Sequence, residues 1–375
     1  MARHSDAQTP VSFRRGQKFQ IILLGTPDMS KWPLAPLDAP VWDIDLFDND
    51  ASTIRTIKQA GKIVICYFSA GTVEDWRDDV RDFPAADVGK VLPEWPNEKW
   101  IRVGSKRVRD IMAKRIKMAS EKGCDAVDPD NTDGYQNDNG LNLRNTDAID
   151  YMNWMQREAA RYNMKIGLKN SIDIIDSLSS IVDFAVNEQC AQHGECAAYG
   201  RFLAMNKPVF HIEYPTPLDV RQANSTSCLG PGTEGMSTIL KELSLNGNTI
   251  YCDGSVVDTP TKGGTGPPRP SNPPIPPRPS TTLKPSTTLR PSTTARPTST
   301  RTSSQRPTST PGNPPGGGCK QKHWDQCGGQ DWKGCTVCEV SSNKSKPLKL
   351  ERLMGALQSP YRCQAVSAPW YYQCL

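Results

Sequence analysis

Four aspartates lie within the thirteen-residue stretch GCDAVDPDNTDGY, residues 123–135: Asp125, Asp128, Asp130 and Asp133. They surround a short apolar run, Ala-Val. Carboxylates crowded in this way repel one another, which raises the pKa of a carboxyl group and is common where proteins transfer protons. An acidic turn capped by Asp and Asn side chains would give the same pattern. The elements that position the stretch must distinguish these two interpretations.

Short apolar runs alternate with segments of helical periodicity through the first 258 residues. The runs that predict strands are QIILLG, VWDIDLF, KIVICYFSAG, CDAVDPDN, KIGLKN, VDFAVNEQ, PVFHIEY and NTIYCDG, and the helical segments include ASTIRTIKQAGK, SKRVRDIMAKRIKMASEKG and TDAIDYMNWMQREAARYN. This alternation over about 250 residues is the pattern of an α/β (β/α)₈ TIM-type barrel. An open doubly wound sheet is the alternative, but no glycine-rich phosphate loop follows the first strand.

Polar residues recur at the carboxyl ends of the predicted strands. In a barrel these ends meet at one rim, which is where barrel active sites lie. The residues are Asp43, Asp45, Ser69, Asp128, Asp130, Lys169, Asn170, Asn187, Glu188, Glu213 and Asp253. The aspartate-rich stretch is therefore predicted to lie at the mouth of the barrel.

The sequence offers little for other kinds of catalysis. It contains no GxSxG nucleophile elbow and no Walker loop. Its histidines have no HExxH or other metal-binding spacing, and we expect each on the surface or in a loop: His4, His193, His211 and His323. Carboxylates remain, and two of them facing a sugar bond are sufficient for glycoside hydrolysis.

Five motifs occur in order between Gln20 and Tyr214: WDIDLFD, ICYFSAG with EDWR, GCDAVDPDN, GLKN and FAVNEQC. Together they resemble glycoside hydrolase family 114, the fungal and bacterial endo-α-1,4-polygalactosaminidases. The resemblance implies a (β/α)₈ barrel that cleaves polymers of α-1,4-linked galactosamine and N-acetylgalactosamine without a metal or organic cofactor. It assigns the catalytic pair to Asp130 and Glu188.

The resemblance also suggests roles for individual residues. Glu188 is expected to protonate the leaving oxygen, while Asp130 attacks the anomeric carbon or activates water. The family usually has glutamate where this chain has Asp128, and we expect the shorter side chain to loosen a substrate contact there and to leave the catalytic pair intact. Further expected substrate contacts, for which a structural role is an equal alternative, are Asp43, Asp45, Tyr67, Asp128, Lys169, Asn170, Asn187 and Glu213. Trp42 and Trp76 are candidates for sugar stacking or for the core.

Two rival functions remain open from the sequence. One is hydrolysis of another amino-sugar polymer, such as chitosan. The other is a non-catalytic, lectin-like protein that binds cell walls, although a binding protein has no need of both Asp130 and Glu188.

Composition divides the chain into parts. Residues 259–318 are rich in Pro, Ser and Thr and contain no acidic residue, and they are predicted to form a disordered, extended linker. The linker separates a barrel at residues 19–258 from a small domain at residues 319–375. Residues 1–18 form an N-terminal segment.

The segments HWDQCGGQDWKGCTVCE and SPYRCQAVSAPWYYQCL resemble the fungal family 1 carbohydrate-binding module, a small disulfide-rich β module that binds cellulose. The resemblance places the cellulose-binding face at Trp324, Gln326, Trp370, Tyr371 and Gln373. It implies the disulfides Cys327–Cys363 and Cys338–Cys374, and it leaves Cys319 and Cys335 as a further pair.

Residues 340–358, VSSNKSKPLKLERLMGALQ, interrupt this module. Without them the family spacing is restored. Removing their codons keeps the reading frame. The codons of Val-Ser can contain a splice donor, and the codon of Gln can contain a splice acceptor. We interpret the segment as a retained intron; a genuine loop with a short amphipathic helix is the alternative.

The cysteines indicate where the protein is found. Twelve cysteines in 375 residues are typical of an oxidising compartment, so we expect a secreted protein, although the first 25 residues contain no adequate signal peptide. In the barrel we expect the pairs Cys190–Cys196 and Cys228–Cys252. Cys66 and Cys124 are either a third pair or buried thiols.

Charge indicates the partners. The first 258 residues contain more acidic than basic residues, although the whole chain has a formal net charge of +5. Such a domain favours a cationic polymer over nucleic acid or an anionic membrane. The two resemblances imply that the partners are a galactosamine-containing polysaccharide and a cellulose or chitin surface, and we expect a monomer. No run of apolar residues is long enough to span a membrane.

Overall fold

The computed structural model describes residues 11–263 and three short strands near the C terminus, at residues 326–328, 363–367 and 371–374. The chain divides into two units, Met1–Leu283 and Lys284–Leu375.

The strands of the first unit are short, and most have fewer than six residues. They are β1 Phe19–Ile22, β2 Thr26–Pro27, β3 Val41–Asp45, β4 Ile63–Ser69, β5 Thr72–Glu74, β6 Val88–Leu92, β7 Trp95–Ile101, β8 Ala126–Asp130, β9 Lys165–Lys169, β10 Phe184–Glu188, β11 Val209–Glu213, β12 Ser237–Leu240, β13 Asn248–Tyr251, β14 Val256–Asp258 and β15 Thr261–Lys262.

Among the described residues of the first unit, three α-helices are long and four are about one turn. The helices are α1 Ala51–Gln59, α2 Lys106–Lys122, α3 Asn145–Ala160, α4 Ile175–Leu178, α5 Cys190–His193, α6 Gly200–Ala204 and α7 Thr226–Leu229. The first three coincide with the predicted helical segments. Helix α2 ends at Gly123, whose φ of 95° is the left-handed conformation that glycine adopts readily.

The main sheet of the first unit has ten strands in the order β1-β3-β4-β8-β9-β10-β11-β12-β13-β14. The strands from β1 to β12 in this order pair in parallel. The sheet curls so strongly that Phe19 of β1 meets Phe210 of β11, with ring centroids 4.8 Å apart. This architecture confirms the predicted TIM-type barrel.

The last part of the barrel differs from the prediction. The segment NTIYCDG, expected as a parallel strand, contributes β13, which pairs antiparallel with β12. The parallel strand at this place is β12, which pairs with β11. Its four residues include Ser237 and Thr238, so it lacks the apolar run by which the other strands were recognised.

Strands β1 and β14 are the two edges of the sheet. Side chains connect β1 to the segments near the other edge. Gln20 Oε1 accepts a 2.8 Å hydrogen bond from Thr249, and Gln20 Nε2 donates a 2.8 Å bond to Thr259. The buried Lys241 donates to Thr249 at 2.9 Å. Buried polar groups need partners, and this side-chain network joins β1 to β13 and to the segment after β14 at the closure.

A three-stranded antiparallel sheet, β5-β7-β6, is inserted between β4 and α2. We call residues 72–101 the hairpin insertion. Trp100 and Leu92 of the insertion pack on Leu141. The insertion begins beside the barrel rim at Gly71, where an added Cβ would lie 1.6 Å from the carbonyl oxygen of Asn131. Only glycine allows this approach.

Arg115 of α2 fixes the end of β4. Its guanidinium is fully buried, donates to the Ser69 carbonyl oxygen at 2.8 Å and forms an ion pair with Asp79 at 2.7 Å. Ser69 lies opposite Asp130 in the parallel register of β4 and β8. The helix therefore stabilises the rim at the point where the aspartate-rich stretch ends.

Disulfides join Cys66 to Cys124, Cys190 to Cys196 and Cys228 to Cys252, so no cysteine in residues 11–263 is free. Two of these are the pairs expected for the barrel, and the third resolves the alternative left open for Cys66 and Cys124. Among the described residues, no helix combines the length and apolarity needed to cross a membrane.

The described part of the second unit is an antiparallel sheet with β18 in the centre: β16 Gln326–Gly328, β17 Cys363–Ser367 and β18 Tyr371–Cys374. Gln326, Tyr371 and Gln373 lie on these strands, as do Cys327, Cys363 and Cys374. The other predicted residues of this module lie outside the described residues, together with segment 340–358: Trp324, Trp370, Cys319, Cys335 and Cys338.

Candidate active site

The alternation of side chains along the strands directs the carboxylates into the barrel. Ala126 of β8 and Val186 of β10 belong to the interior core. Residues two and four positions further along a strand point to the same side. Asp128 and Asp130 therefore face the interior on β8, and Glu188 does so on β10, with Asp130 and Glu188 as the last residues of their strands.

Lys169, the last residue of β9, lies between these two strands and contacts both carboxylates. Its Nζ is 3.2 Å from Asp130 Oδ1 and 3.1 Å from Glu188 Oε2. Only 1% of the lysine side chain is exposed. A buried ammonium group offsets the repulsion that would otherwise separate two carboxylates.

Two tyrosines bind the remaining oxygens of the pair. The Tyr67 hydroxyl of β4 donates to Asp130 Oδ2 at 2.8 Å. The Tyr214 hydroxyl, just after β11, donates to Glu188 Oε1. The predicted residues Tyr67 and Lys169 therefore both contact the pair and hold its side chains in place.

Asp43 and Asp128 lie deeper in the barrel and are fully buried. Burial raises the pKa of Asp128 to about 7, with Asp130 and Glu188 adding to the shift and Lys169 opposing it. Burial, followed by the charge of Asp128, also raises the pKa of Asp43 well above its usual range. The crowding expected from the sequence contributes, but loss of hydration is the larger cause.

Asn170 and Asn187 position the backbone of Glu188. Asn170 Oδ1 accepts a 2.9 Å hydrogen bond from the Glu188 N–H and a 3.3 Å bond from Asn187 Nδ2. Asn187 also donates to the Tyr199 hydroxyl at 2.9 Å. These contacts give both amides a positioning role beside the pair.

Asp45 has a structural role where the sequence suggests a substrate contact. Its carboxylate forms a buried ion pair with Arg77 at 2.5 Å and accepts hydrogen bonds from the N–H groups of Phe47 and Asp48, each at 2.8 Å. Arg77 also binds Glu74. Asp45 therefore anchors the start of the hairpin insertion.

Glu213 is also bound within the protein. Its Oε1 accepts from the Ala191 N–H at 2.8 Å and lies 2.8 Å from His211 Nε2. Against the expectation of a surface position, His211 is fully buried in β11. It lies close enough to Cys190 and Cys196 to resemble a metal site, but both sulfur atoms form a disulfide.

A cleft opens above the pair at the carboxyl end of the barrel. Among the described residues it is lined by Leu92, Pro93, Glu94, Trp95, Trp100, Asp130, Asn131, Asp133, Asn137, Asn170, Glu188, Tyr214 and Leu243. Of the predicted catalytic and substrate-binding residues, Asp130, Asn170 and Glu188 reach it. The remaining seven do not line it.

The aromatic residues of the cleft differ from those suggested by the sequence. Trp42 is fully buried in the core, and Trp76 does not line the cleft. Trp95 and Trp100 of the hairpin insertion do. In the segment KVLPEWPNEKWI, Pro93 occupies the second position of the turn from Leu92 to Trp95, where proline is favoured, and this signal could have indicated the hairpin.

A carboxylate pair at the carboxyl end of a TIM-type barrel, below a cleft with aromatic walls, is the arrangement of a glycoside hydrolase. Comparisons with known proteins agree. Residues 2–257 match glycoside-hydrolase family GH114, and the chain belongs to this family.

Solved structures support the same grouping. The chain is similar to the crystal structure of Aspergillus fumigatus Ega3 in complex with galactosamine, with 44% sequence identity and a TM-score of 0.61, over 67% of this chain and 100% of that one. The glycoside hydrolase domain of PelA from Pseudomonas aeruginosa shares the fold, with 13% identity and a TM-score of 0.50, over 62% of this chain and 98% of that one.

Residues 323–343 match the fungal cellulose binding domain. Two curated proteins are 41% identical over short stretches: acetylxylan esterase of Hypocrea jecorina over 75 residues and feruloyl esterase B of Talaromyces stipitatus over 61 residues. These stretches are 20% and 16% of this chain, and the chain spans only 18% and 12% of the length of the two esterases.

Proposed function

We propose that this protein is an endo-acting hydrolase of polymers of α-1,4-linked galactosamine and N-acetylgalactosamine. The observation that carries the proposal is the Asp130–Lys169–Glu188 constellation at the floor of the cleft. The 44% identity with a relative that was crystallised with galactosamine supports the substrate.

Glu188 protonates the leaving oxygen, and Asp130 acts on the anomeric carbon. Asp130 Oδ1 and Glu188 Oε2 both contact Lys169 Nζ, at 3.2 and 3.1 Å, so these two oxygens are at most about 6.3 Å apart. This is short of the roughly 6.5–9.5 Å that separates the carboxyl groups of inverting enzymes. This spacing favours a double displacement with retention. Asp130 forms a glycosyl ester as the leaving group takes the proton of Glu188.

The second step releases the product. Ionised Glu188 removes a proton from water, and the water oxygen attacks the anomeric carbon and displaces the Asp130 carboxylate. Lys169 stays within reach of both groups throughout. The hydrogen bond from Tyr67 keeps Asp130 oriented towards the sugar.

The C-terminal module targets the enzyme to cellulose or another polysaccharide. By resemblance to the fungal family 1 carbohydrate-binding module we infer that Trp324, Trp370 and Tyr371 bind cellulose, with Gln326 and Gln373 as polar contacts, because flat rings pack on the apolar faces of glucose units. The disulfides of the barrel and the fungal cellulose binding domain fit an extracellular enzyme. The partners are the polysaccharide substrate and the solid surface, and the protein acts as a monomer.

The test follows the reducing ends and product masses released by the secreted full-length chain from α-1,4-galactosamine polymer and from chitosan. We expect galactosamine oligomers from the first polymer, and a loss of more than about 10³-fold in Asp130→Asn and Glu188→Gln. Asp110→Asn, an exposed change on α2, is the matched control and should keep full activity.

Other outcomes would replace the proposal. Cleavage of chitosan alone would change the substrate to another amino-sugar polymer. The parent chain could also bind the polymer and release no product while its circular dichroism shows a folded barrel. That result would make this protein a binding protein.

A further inference from the structure

The tip of the hairpin insertion lies in the wall of the cleft. Leu92 of β6 pairs with Trp95 of β7, so only Pro93 and Glu94 form the turn between the strands. Both turn residues line the cleft together with the catalytic carboxylates.

The hairpin is anchored to the loop that follows β8. The Lys90 N–H donates to the Asn139 carbonyl oxygen at 3.0 Å, and Leu92 and Trp100 pack on Leu141. At Gly89 an added Cβ would lie 2.1 Å from the same carbonyl oxygen. The turn is therefore presented to the cleft by a packed support, which is what a precise binding contact requires.

Glu94 has no hydrogen-bond or ion-pair partner for its side chain within the part of the chain that the structure describes. By contrast, Asp130 and Glu188 share Lys169. No Lys or Arg is among the described residues that line the cleft. Glu94 thus places an uncompensated negative charge in the wall of the cleft.

We propose that Glu94 is a specificity-determining residue whose carboxylate binds the protonated amine of a galactosamine residue beside the scissile bond. This inference rests on the proposed function and deepens it. A free amine is positively charged and completes an ion pair with Glu94, whereas an N-acetyl group carries no charge and leaves the carboxylate unpaired. The cleft therefore prefers deacetylated segments of the polymer.

The test measures binding in the Asp130→Asn background, so that no substrate is consumed. Glu94→Gln should weaken binding of fully deacetylated α-1,4-galactosamine oligomers about fivefold at low salt, the size of a partly exposed ion pair. Binding of fully N-acetylated oligomers should be unchanged. At about 1 M salt the difference should nearly vanish, because the screening length falls to about 3 Å.

Glu121→Gln is the matched control, because it removes an equally long carboxylate from the exposed surface of α2. It should leave both affinities unchanged. An equal loss of affinity for both oligomers on Glu94→Gln, or no loss for the deacetylated one, would overturn the inference. Cleavage of galactosamine polymer by the parent chain is measured separately, so the proposed function stands or falls independently.

Discussion

At the scale of residues, the site depends on one buried cation between two carboxylates. Asp130 and Glu188 come from strands that are separated by β9. Lys169 of β9 contacts both and is almost fully buried. A buried charge is stable only with its partners, so each member of this group depends on the other two.

We therefore expect Lys169→Met to reduce kcat more than about 100-fold and to destabilise the fold by up to about 3–5 kcal/mol, because it leaves a buried and a half-buried carboxylate without their cation. Reducing-end kinetics and urea unfolding measure the two effects. Lys165→Met on the same strand is the control, since Lys165 is 41% exposed and pairs with Asp183 at the surface. A similar effect for both substitutions would contradict this interpretation.

Asp128 makes the stability of the fold dependent on pH. Its pKa is raised to about 7 from a model-peptide value of 3.8, so the folded state binds a proton that the unfolded state has already lost. This contribution to stability is complete below pH 3.8 and is lost as the pH rises through 7. Asp128→Asn cannot lose a proton, so it lacks this dependence.

Urea unfolding between pH 4 and 7 measures this dependence. Relative to the Asn variant, the wild type should lose up to about 1.4 kcal/mol of unfolding free energy per pH unit. The exposed substitution Asp110→Asn should follow the wild-type curve. Parallel curves for Asp128→Asn and the wild type would show that Asp128 is ionised in the folded state.

At the scale of elements, the hairpin insertion and the barrel form the cleft together. The insertion supplies Trp95 and Trp100, and β8 and β10 supply the carboxylates. The two meet where Gly71 packs on the Asn131 carbonyl oxygen, one residue after Asp130. A displacement at this contact moves the end of the catalytic strand.

Gly71→Ala should accordingly lower kcat/KM at least tenfold and destabilise the fold by about 1–3 kcal/mol, the usual effect of overpacking. Gly104→Ala is the control, because nothing lies within 4 Å of its added methyl group. Kinetics and thermal unfolding of both variants measure the contrast. Full activity of Gly71→Ala would show that the rim can yield without moving Asp130.

At the scale of the whole molecule, the barrel and the cellulose binding domain are separate units of sequence. The match to the cellulose binding domain ends at residue 343, inside the segment 340–358 that we interpret as a retained intron. If the segment is foreign to the module, its removal should improve folding and binding.

A pull-down on microcrystalline cellulose tests this expectation. The chain without residues 340–358 should bind at least tenfold more tightly than the full-length chain, and a chain ending at residue 263 should not bind. The hydrolytic activity on soluble polymer should be equal in all three, because the cleft lies in the first unit. Equal binding by the first two chains would mean that the segment is a genuine loop.

Local patterns were sufficient to predict the barrel and the positions of many polar residues. Alternation of apolar runs with amphipathic helices defines the barrel, and the period of two along β8 and β10 determines which side chains face inward. The carboxyl ends of parallel strands must lie at one rim. For this reason the sequence predicts that Asp130, Asn170 and Glu188 lie at one rim, and in the structure all three line one cleft.

Tertiary structure alone decided which polar residues reach the cleft and which are buried. Asp45, Asp128 and Glu213 follow the same strand-end pattern as Asp130, yet packing keeps them out of the cleft that Asp130 lines. Burial depends on neighbours that are distant in sequence, such as Arg77 beside Asp45. The position of the hairpin insertion above the rim also depends on a distant contact, the packing of Trp100 on Leu141. A contact between separate segments leaves no periodic signal in the chain.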